Sequence, residues 1–176
     1  MYFWEVKSEG DFVNCREEKI KKMKFTCSVE INLPVDEVVE LFDSTENLIE
    51  WQDGFVKFEP ISGAPREEGS KAKMIYMMGK SGQEMEIIET INVKNLPEEM
   101  TGLYEHKHMV NTMTTRFKEI STNKTLYEAE IEYTKLIGFV PKLMAFLMPG
   151  LFKKQTQKWL NQFKEFAERE SLSRIN

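Results

Sequence analysis

The stretch 138–170 carries the longest helical periodicity in the chain, and it follows a series of segments that alternate between apolar and polar residues. One side of this helix would carry Phe152, Thr156, Trp159, Leu160, Phe163 and Ala167. Their spacing of three and four residues predicts a helix that packs through one face on an apolar surface. Because the preceding segments predict strands, we expect the helix to lie across a sheet.

The segments before this helix predict seven strands and two short helices. From Lys24 to Asn32, every second residue is apolar or cysteine, which predicts a half-buried strand. Pro34 ends that strand, since proline cannot continue the ladder, and short helices are expected over 35–42 and 45–51. Six further strands are predicted over 55–61, 71–78, 83–93, 100–109, 112–120 and 125–136. The short loops between them predict antiparallel hairpins.

This order of elements limits the architecture. Seven strands can bury one face only by curling around the long helix, so we predict an α+β fold with helices on one face of an antiparallel sheet. Residues 1–22 fit no periodic pattern and carry five acidic and five basic residues. We expect them to form a loosely ordered extension, with the folded domain spanning 23–172.

Charge, hydropathy and cysteine content bear on the expected partners and cellular compartment of the protein. A net charge of −5 and a pI near 5.3 argue against a nucleic-acid partner, since phosphate binding needs a basic face. No apolar run approaches the ~18 residues of a spanning helix. The two cysteines, Cys15 and Cys27, form no CxxC motif, which favours a reduced, cytoplasmic setting.

Several residues of the first half carry a family resemblance. The stretch 29–42 leads from a strand through Pro34 into a helix, and Trp51 and Gly69 follow it. This pattern resembles the START-like (SRPBCC) superfamily, in particular its polyketide cyclase/dehydrase and lipid-transport branch, over residues 23–170. The resemblance implies a helix-grip fold with a deep apolar cavity between the curved sheet and the last helix. Relatives use that cavity for lipids, sterols, polyketides or hormones, and a minority are enzymes.

If the apolar strand faces line such a cavity, they supply a candidate binding site. Methionine suits adaptable apolar surfaces, and the chain has 11. The tyrosine hydroxyls on these faces would orient a ligand or, alternatively, lie at the rim of an aromatic core. Trp51 would either line the cavity or have only a packing role. The predicted ligand-binding residues are Trp51, Met74, Tyr76, Met85, Ile87, Glu89, Tyr127, Tyr133, Phe152, Thr156 and Trp159.

The sequence shows no complete set of catalytic or metal-binding residues. His106 and His108 form an HxH pair that would point to one face of a strand and offer half of a metal site, with Glu89, Glu105 or a cysteine as the third ligand. We predict no metal and no cofactor. Glu89 shares an apolar strand face, so it is a weak candidate for a general acid or base. Alternatively it lies near the cavity mouth, paired or in water, because an unpaired buried charge is costly.

The lead-in to the last helix is unusually apolar. Residues 139–152 carry one charge, two lysines follow at once, and Pro149-Gly150 should break the helix. Three interpretations remain open. The segment 139–148 closes the cavity as a buried first turn, it forms a movable gate whose edge docks transiently on a membrane surface, or it is a homodimer contact.

These observations lead to three hypotheses of function. The first is a binding or carrier protein for a small hydrophobic, lipid-like ligand. The second is a cyclase or dehydratase that uses Glu89 or a strand histidine as acid or base. The third is a protein-interaction or regulatory domain.

Overall fold

A computed structural model describes residues 23–78, 82–139, 143 and 150–175. Its strands are β1 (Met23–Ile31), β2 (Phe55–Ser62), β3 (Lys71–Met78), β4 (Gln83–Asn95), β5 (Glu99–His106), β6 (Met109–Ser121) and β7 (Lys124–Leu136). The helices are α1 (Val35–Asp43), α2 (Leu48–Trp51) and α3 (Gly150–Ile175). Residues 1–22 lie outside the described part, so the extension and the 23–172 domain stay predictions.

The strands form one antiparallel sheet in the order β1-β7-β6-β5-β4-β3-β2. All neighbouring pairs except β1 and β7 are hairpins of consecutive strands, because the loops between them are short. With α1 and α2 after β1 and the long α3 at the end, the predicted helix-grip architecture is confirmed. The second short helix is shorter than expected, since 45–47 form a turn, and α3 extends five residues beyond the predicted 170.

The core lies between the sheet and the helices. The Phe42 ring of α1 is its centre, with ring centroids 5.1 Å from Phe117, 5.7 Å from Tyr127 and 5.7 Å from Phe163. The predicted stripe of α3 faces this core, and Phe166 adds a further buried ring to it. Burying such aromatic side chains is the main source of stability in a fold of this size.

Helix α3 is held along the edge strand β1 by polar side chains. The Gln157 amide donates to the Ser28 carbonyl at 3.0 Å, and the Lys164 ammonium donates to the Glu30 carbonyl at 2.7 Å. These bonds satisfy carbonyls that no neighbouring strand covers, so they protect the sheet edge. They also fix the helix relative to the sheet, and thereby the shape of the space between them.

Candidate functional site

A cavity of about 420 Å³ lies between the inner face of the sheet and the first turns of α3. Its volume is within the range of about 300–1,000 Å³ typical of small-molecule sites. Every residue of the predicted binding set contributes to its wall: Trp51, Met74, Tyr76, Met85, Ile87, Glu89, Tyr127, Tyr133, Phe152, Thr156 and Trp159. That these side chains contact a ligand stays a prediction.

Strand alternation explains why the prediction located this wall. In β3 and β4, Met74 pairs with Ile87 and Tyr76 pairs with Met85, so the four side chains share the inner face. Side chains at alternate positions lie on the same face of a strand, and directly paired residues lie on the same face of the sheet. A period of two therefore sufficed to identify these lining residues.

Other lining residues were missed. The wall also includes Phe42, Gln52, Arg66, Tyr104, Met109, Asn111, Met113, Ile131, Leu151, Gln155 and Leu160. Tyr104, Asn111 and Met113 carry an alternation signal, but the strand boundary between them was misplaced. The hairpin turns at Lys107-His108, where His106 pairs with Met109. Arg66 lies in the β2–β3 connection, where no periodicity could indicate its orientation.

A row of polar side chains crosses the inner face of the sheet. Glu89 of β4 pairs with Tyr104 of β5, Tyr104 with Asn111 of β6, and Asn111 with Tyr133 of β7. All four line the cavity, and we call them the polar row. Burial raises the pKa of Tyr133 to about 12, so its hydroxyl keeps its proton at neutral pH. The row therefore offers a carboxylate, two phenols and a carboxamide to an otherwise apolar space.

Glu89 lies within the wall rather than in water at the cavity mouth. It is only 2% exposed, and the Tyr104 hydroxyl donates to its Oε1 at 2.9 Å. Burial, and secondly the Glu89 charge, raises the pKa of Tyr104 well above its usual value, so the phenol stays a donor. Gly102 makes room for this phenol, because a Cβ there would lie 2.9 Å from the Tyr104 hydroxyl. Of the two conditions expected for Glu89, paired or in water, the structure shows a hydrogen bond to one hydroxyl and almost no exposure to water.

The remaining predicted polar groups are engaged within the protein. The Tyr76 hydroxyl donates to Gln52 Oε1, and its ring stacks on Trp159 with centroids 5.9 Å apart. Burial, followed by the Glu89 charge, raises the Tyr76 pKa. Tyr127 is buried in the aromatic core beside Phe42, so for this residue the core interpretation describes its place. These phenols shape the wall more than they offer free donors.

Arg66 brings a buried cation into the same wall. It is 4% exposed, and its backbone has a φ of 60°, in the left-handed region that side chains rarely adopt. Its Nε donates to Asp43 Oδ1 at 3.2 Å, and its guanidinium lies 5.0 Å from the centroid of the Phe42 ring. Asp43 also pairs with Lys94 at 2.8 Å. Arg66 thus hydrogen-bonds to a carboxylate on α1 that it shares with Lys94, while its charge still acts on the polar row, where it opposes the rise in the pKa of Tyr104.

Trp51 both packs and lines the wall. Its ring lies 5.2 Å from Phe163 and 6.0 Å from Phe42, centroid to centroid. Its buried Nε1 has no hydrogen-bond partner within the described part of the chain. Both interpretations describe this residue, because its ring packs against the core while its side chain also borders the cavity.

Asp53 links the α2–β2 loop to the cavity-lining face of α3. Its Oδ1 accepts from Trp159 Nε1 at 2.9 Å and from Gln155 Nε2 at 3.3 Å, and its Oδ2 pairs with Lys158. Partial burial opposes ionisation, but these donors, led by Lys158, lower the pKa of Asp53. The next residue, Gly54, has a φ of +84°, and a Cβ there would lie 2.8 Å from the Met77 carbonyl oxygen. Only glycine allows the loop to lie this close to β3.

The histidine pair does not form the expected half-site within a strand. His106 ends β5, whereas His108 lies in the turn, where its backbone N–H donates to His106 Nδ1 at 3.3 Å. The placement of both histidines in one strand was wrong, because His108 belongs to the two-residue turn, Lys107-His108, that joins β5 to β6. Burial and the neighbouring His108 and Lys107 lower the pKa of His106. Within the described residues, no group of three His, Cys, Asp or Glu side chains could hold a metal ion.

The apolar segment 139–152 is described only in part. Residues 140–142 and 144–149 lie outside the described residues. All three interpretations of the segment therefore stay predictions: a buried first turn that closes the cavity, a gate with a membrane-docking edge, and a homodimer contact. Phe139 is 75% exposed, and Leu143 and Leu151 are also exposed. No helix among the described residues is long and apolar enough to cross a membrane.

Solved structures share this architecture at low sequence identity. The Zhui aromatase/cyclase from Streptomyces sp. R1128 matches with a TM-score of 0.70 and 10% identity, covering 85% of this chain and 96% of that one. The chain has the START-like, helix-grip fold. A protein from Thermus thermophilus matches this START-like fold with a TM-score of 0.68 and 15% identity, covering 84% and 99% of the two chains. The di-domain ARO/CYC StfQ from the steffimycin biosynthetic pathway matches with a TM-score of 0.68 and 13% identity, covering 85% of this chain and 47% of that one.

The comparisons confirm the resemblance at the level of the fold. At these identities they carry no information on which molecule this chain binds. The sequence matches no protein-family model and no curated protein.

Proposed function

We propose that this START-like chain binds a small hydrophobic ligand in the cavity between the sheet and α3. The observation that carries the proposal is the cavity itself, about 420 Å³ in volume and bordered mainly by methionine, isoleucine and aromatic side chains. An apolar ligand that fills this space would gain dispersion contacts with the lining atoms. The polar row would set its orientation.

The methionines favour a ligand that is lipid-like rather than rigidly complementary. Met74, Met85, Met109 and Met113 all border the cavity. Because methionine has three rotatable bonds and a polarizable sulfur, such a wall adapts to flexible apolar molecules. A carrier of a lipid-like molecule uses this adaptability, since its cargo must enter and leave.

The first test is whether the protein carries a ligand. Native mass spectrometry of the protein purified from cells, followed by organic extraction, should detect a co-purified apolar molecule. Titration of the delipidated protein with the neutral fluorescent probe N-phenyl-1-naphthylamine should then give saturable binding. A protein that is empty and also fails to bind the probe would contradict the proposal.

Two neighbouring positions of β4 provide a matched pair of variants. Ile87→Trp places a larger side chain in the cavity, whereas Glu86→Trp places the same side chain on the exposed outer face. We expect the first variant to weaken probe binding by at least about tenfold, since overpacking and ligand compete for one space. The second should bind like the wild type. Equal binding by both variants would place the probe outside the cavity.

A cyclase or dehydratase activity is the second candidate, because Glu89 is a buried carboxyl group on the cavity wall. Such a group, aligned by the Tyr104 hydroxyl, can transfer protons to or from an apolar substrate. The two aromatase/cyclase structures with this fold make a polyketide-like substrate the first to try. Glu89→Gln keeps the size and removes the acid, so turnover should fall about 100-fold or more. Unchanged turnover would exclude Glu89 as the catalytic group.

A further inference from the structure

The Glu89 carboxylate has unused hydrogen-bonding capacity that faces a ligand site. A carboxylate offers two oxygens and about four lone-pair positions. Among the described residues, its hydrogen-bond partner is the Tyr104 hydroxyl, and none of their cationic nitrogens lies within 4.0 Å of it. A buried carboxylate bound to one neutral hydroxyl is incompletely compensated, so a further donor at this point is strongly favoured.

The cation among the lining residues, Arg66, does not supply that donor. Arg66 donates through Nε to Asp43 at 3.2 Å and through Nη2 to the Met100 sulfur at 3.6 Å. Asp43 is in turn paired with Lys94. Arg66 thus hydrogen-bonds to a carboxylate on α1 rather than to Glu89, and among the described residues no cation lies within 4.0 Å of the Glu89 carboxylate.

The other members of the polar row place further hydrogen-bonding groups beside Glu89 along the sheet. Asn111 lies between Tyr104 and Tyr133 in the cross-strand register and borders the same cavity. Its carboxamide both donates and accepts, and the protonated phenols do the same. Only the Glu89 end of the row carries a charge, so Glu89 decides which kind of polar group can be placed there.

We infer that the cavity selects apolar molecules that carry an O–H or N–H donor, neutral or cationic, and discriminates against fatty-acid anions. The donor group would bind the free lone pairs of Glu89 while the chain lies along the methionine wall. A ligand carboxylate at the same point would meet a like charge in a buried site of low effective dielectric constant, where repulsion is stronger than in water. This inference rests on the proposed function and specifies its ligand class.

Competition against N-phenyl-1-naphthylamine at pH 8 tests the inference with three ligands of equal chain length. Dodecanol carries a donor, dodecyl methyl ether only an acceptor, and dodecanoate a negative charge. We expect the delipidated wild type to bind dodecanol at least about tenfold more tightly than either of the others, as a charge-assisted hydrogen bond allows. In Glu89→Gln, the preference for dodecanol over dodecyl methyl ether and its preference over dodecanoate should each fall to about threefold or less.

Glu84→Gln provides the matched control, since it removes the same charge from the exposed face of the same strand. It should keep the wild-type preference, which separates the effect of Glu89 from that of net charge. Should Glu89→Gln fail to fold by circular dichroism, Tyr104→Phe replaces it. That variant frees the lone pair of Glu89 that the Tyr104 hydroxyl occupies, so the advantage of dodecanol should persist or widen, and its loss would overturn the inference.

The failures of the two proposals are distinguishable. A wild type that binds the probe but prefers dodecanoate, or shows no preference, overturns the ligand class and leaves hydrophobic binding intact. Preference for dodecanoate would instead assign the polar contact to Arg66. A wild type that binds neither probe nor ligand overturns the proposed function and this inference with it.

Discussion

Replacing Phe163 by alanine should remove the contact that joins α3 to the rest of the core. The ring is 0% exposed and lies 5.2 Å from Trp51, 5.6 Å from Tyr127 and 5.7 Å from Phe42, centroid to centroid. These neighbours belong to α1, α2 and β7 and hold one another in place. The surroundings therefore cannot collapse into the space that the variant leaves.

The magnitude follows from that geometry. A buried Phe→Ala replacement typically costs about 3–5 kcal/mol, and poor relaxation favours the upper half of that range. For a domain of this size each kcal/mol lowers Tm by about 2–4 °C, so a cost of about 4–5 kcal/mol should lower Tm by about 8–20 °C. Urea unfolding followed by tryptophan fluorescence, together with a thermal scan, measures both quantities.

Phe139→Ala is the matched control, because that ring is 75% exposed and its loss should change stability by less than about 0.5 kcal/mol. Phe163 does not line the cavity, so folded Phe163→Ala should still bind the fluorescent probe. A cost below about 1 kcal/mol for Phe163→Ala would refute the reasoning, since it would mean that α3 is held chiefly by its polar contacts with β1.

Three further predictions concern single groups. The pKa of Asp53 is lowered in the folded protein, so its carboxylate stabilises the fold at pH values above about 3.9, its pKa in the unfolded chain. The stability advantage of the wild type over Asp53→Asn should therefore hold at neutral pH and vanish as the pH falls below about 4. A difference that stays constant in pH-dependent urea titrations would contradict this. Burial raises the pKa of the Cys27 thiol against the opposing charge of Lys153, so iodoacetamide should label Cys27 far more slowly in native protein than in urea, as peptide mass mapping would show, and equal rates would refute it. If 139–152 docks on membranes, Phe139→Asp with Leu143→Asp, both at exposed positions, should abolish flotation with liposomes while leaving the circular dichroism spectrum unchanged, and undiminished flotation would exclude that role.

Much of the binding wall could be located from the sequence because it lies on regular strands. In β3 and β4 a period of two separates cavity-facing from outward-facing residues, and Met74 and Ile87 follow that period into the wall. The same logic failed at the β5–β6 hairpin. The misplaced turn put Asn111 in a loop between the predicted strands 100–109 and 112–120, so its pairing with Tyr104 was not predicted.

The sequence by itself determined the fold class, the order of its elements and the apolar face of α3, since these depend on local periodicity and on the positions of proline and glycine. Tertiary structure alone decided the polar chemistry of the cavity. Arg66 enters the wall from an irregular turn, and Asp53 binds Trp159 across 106 positions of the chain. Glu89 became a buried, singly paired carboxylate because Tyr104 lies opposite it on the next strand. Partners distant in sequence have no periodic signature, because their contact exists only once the sheet has curled around the helix.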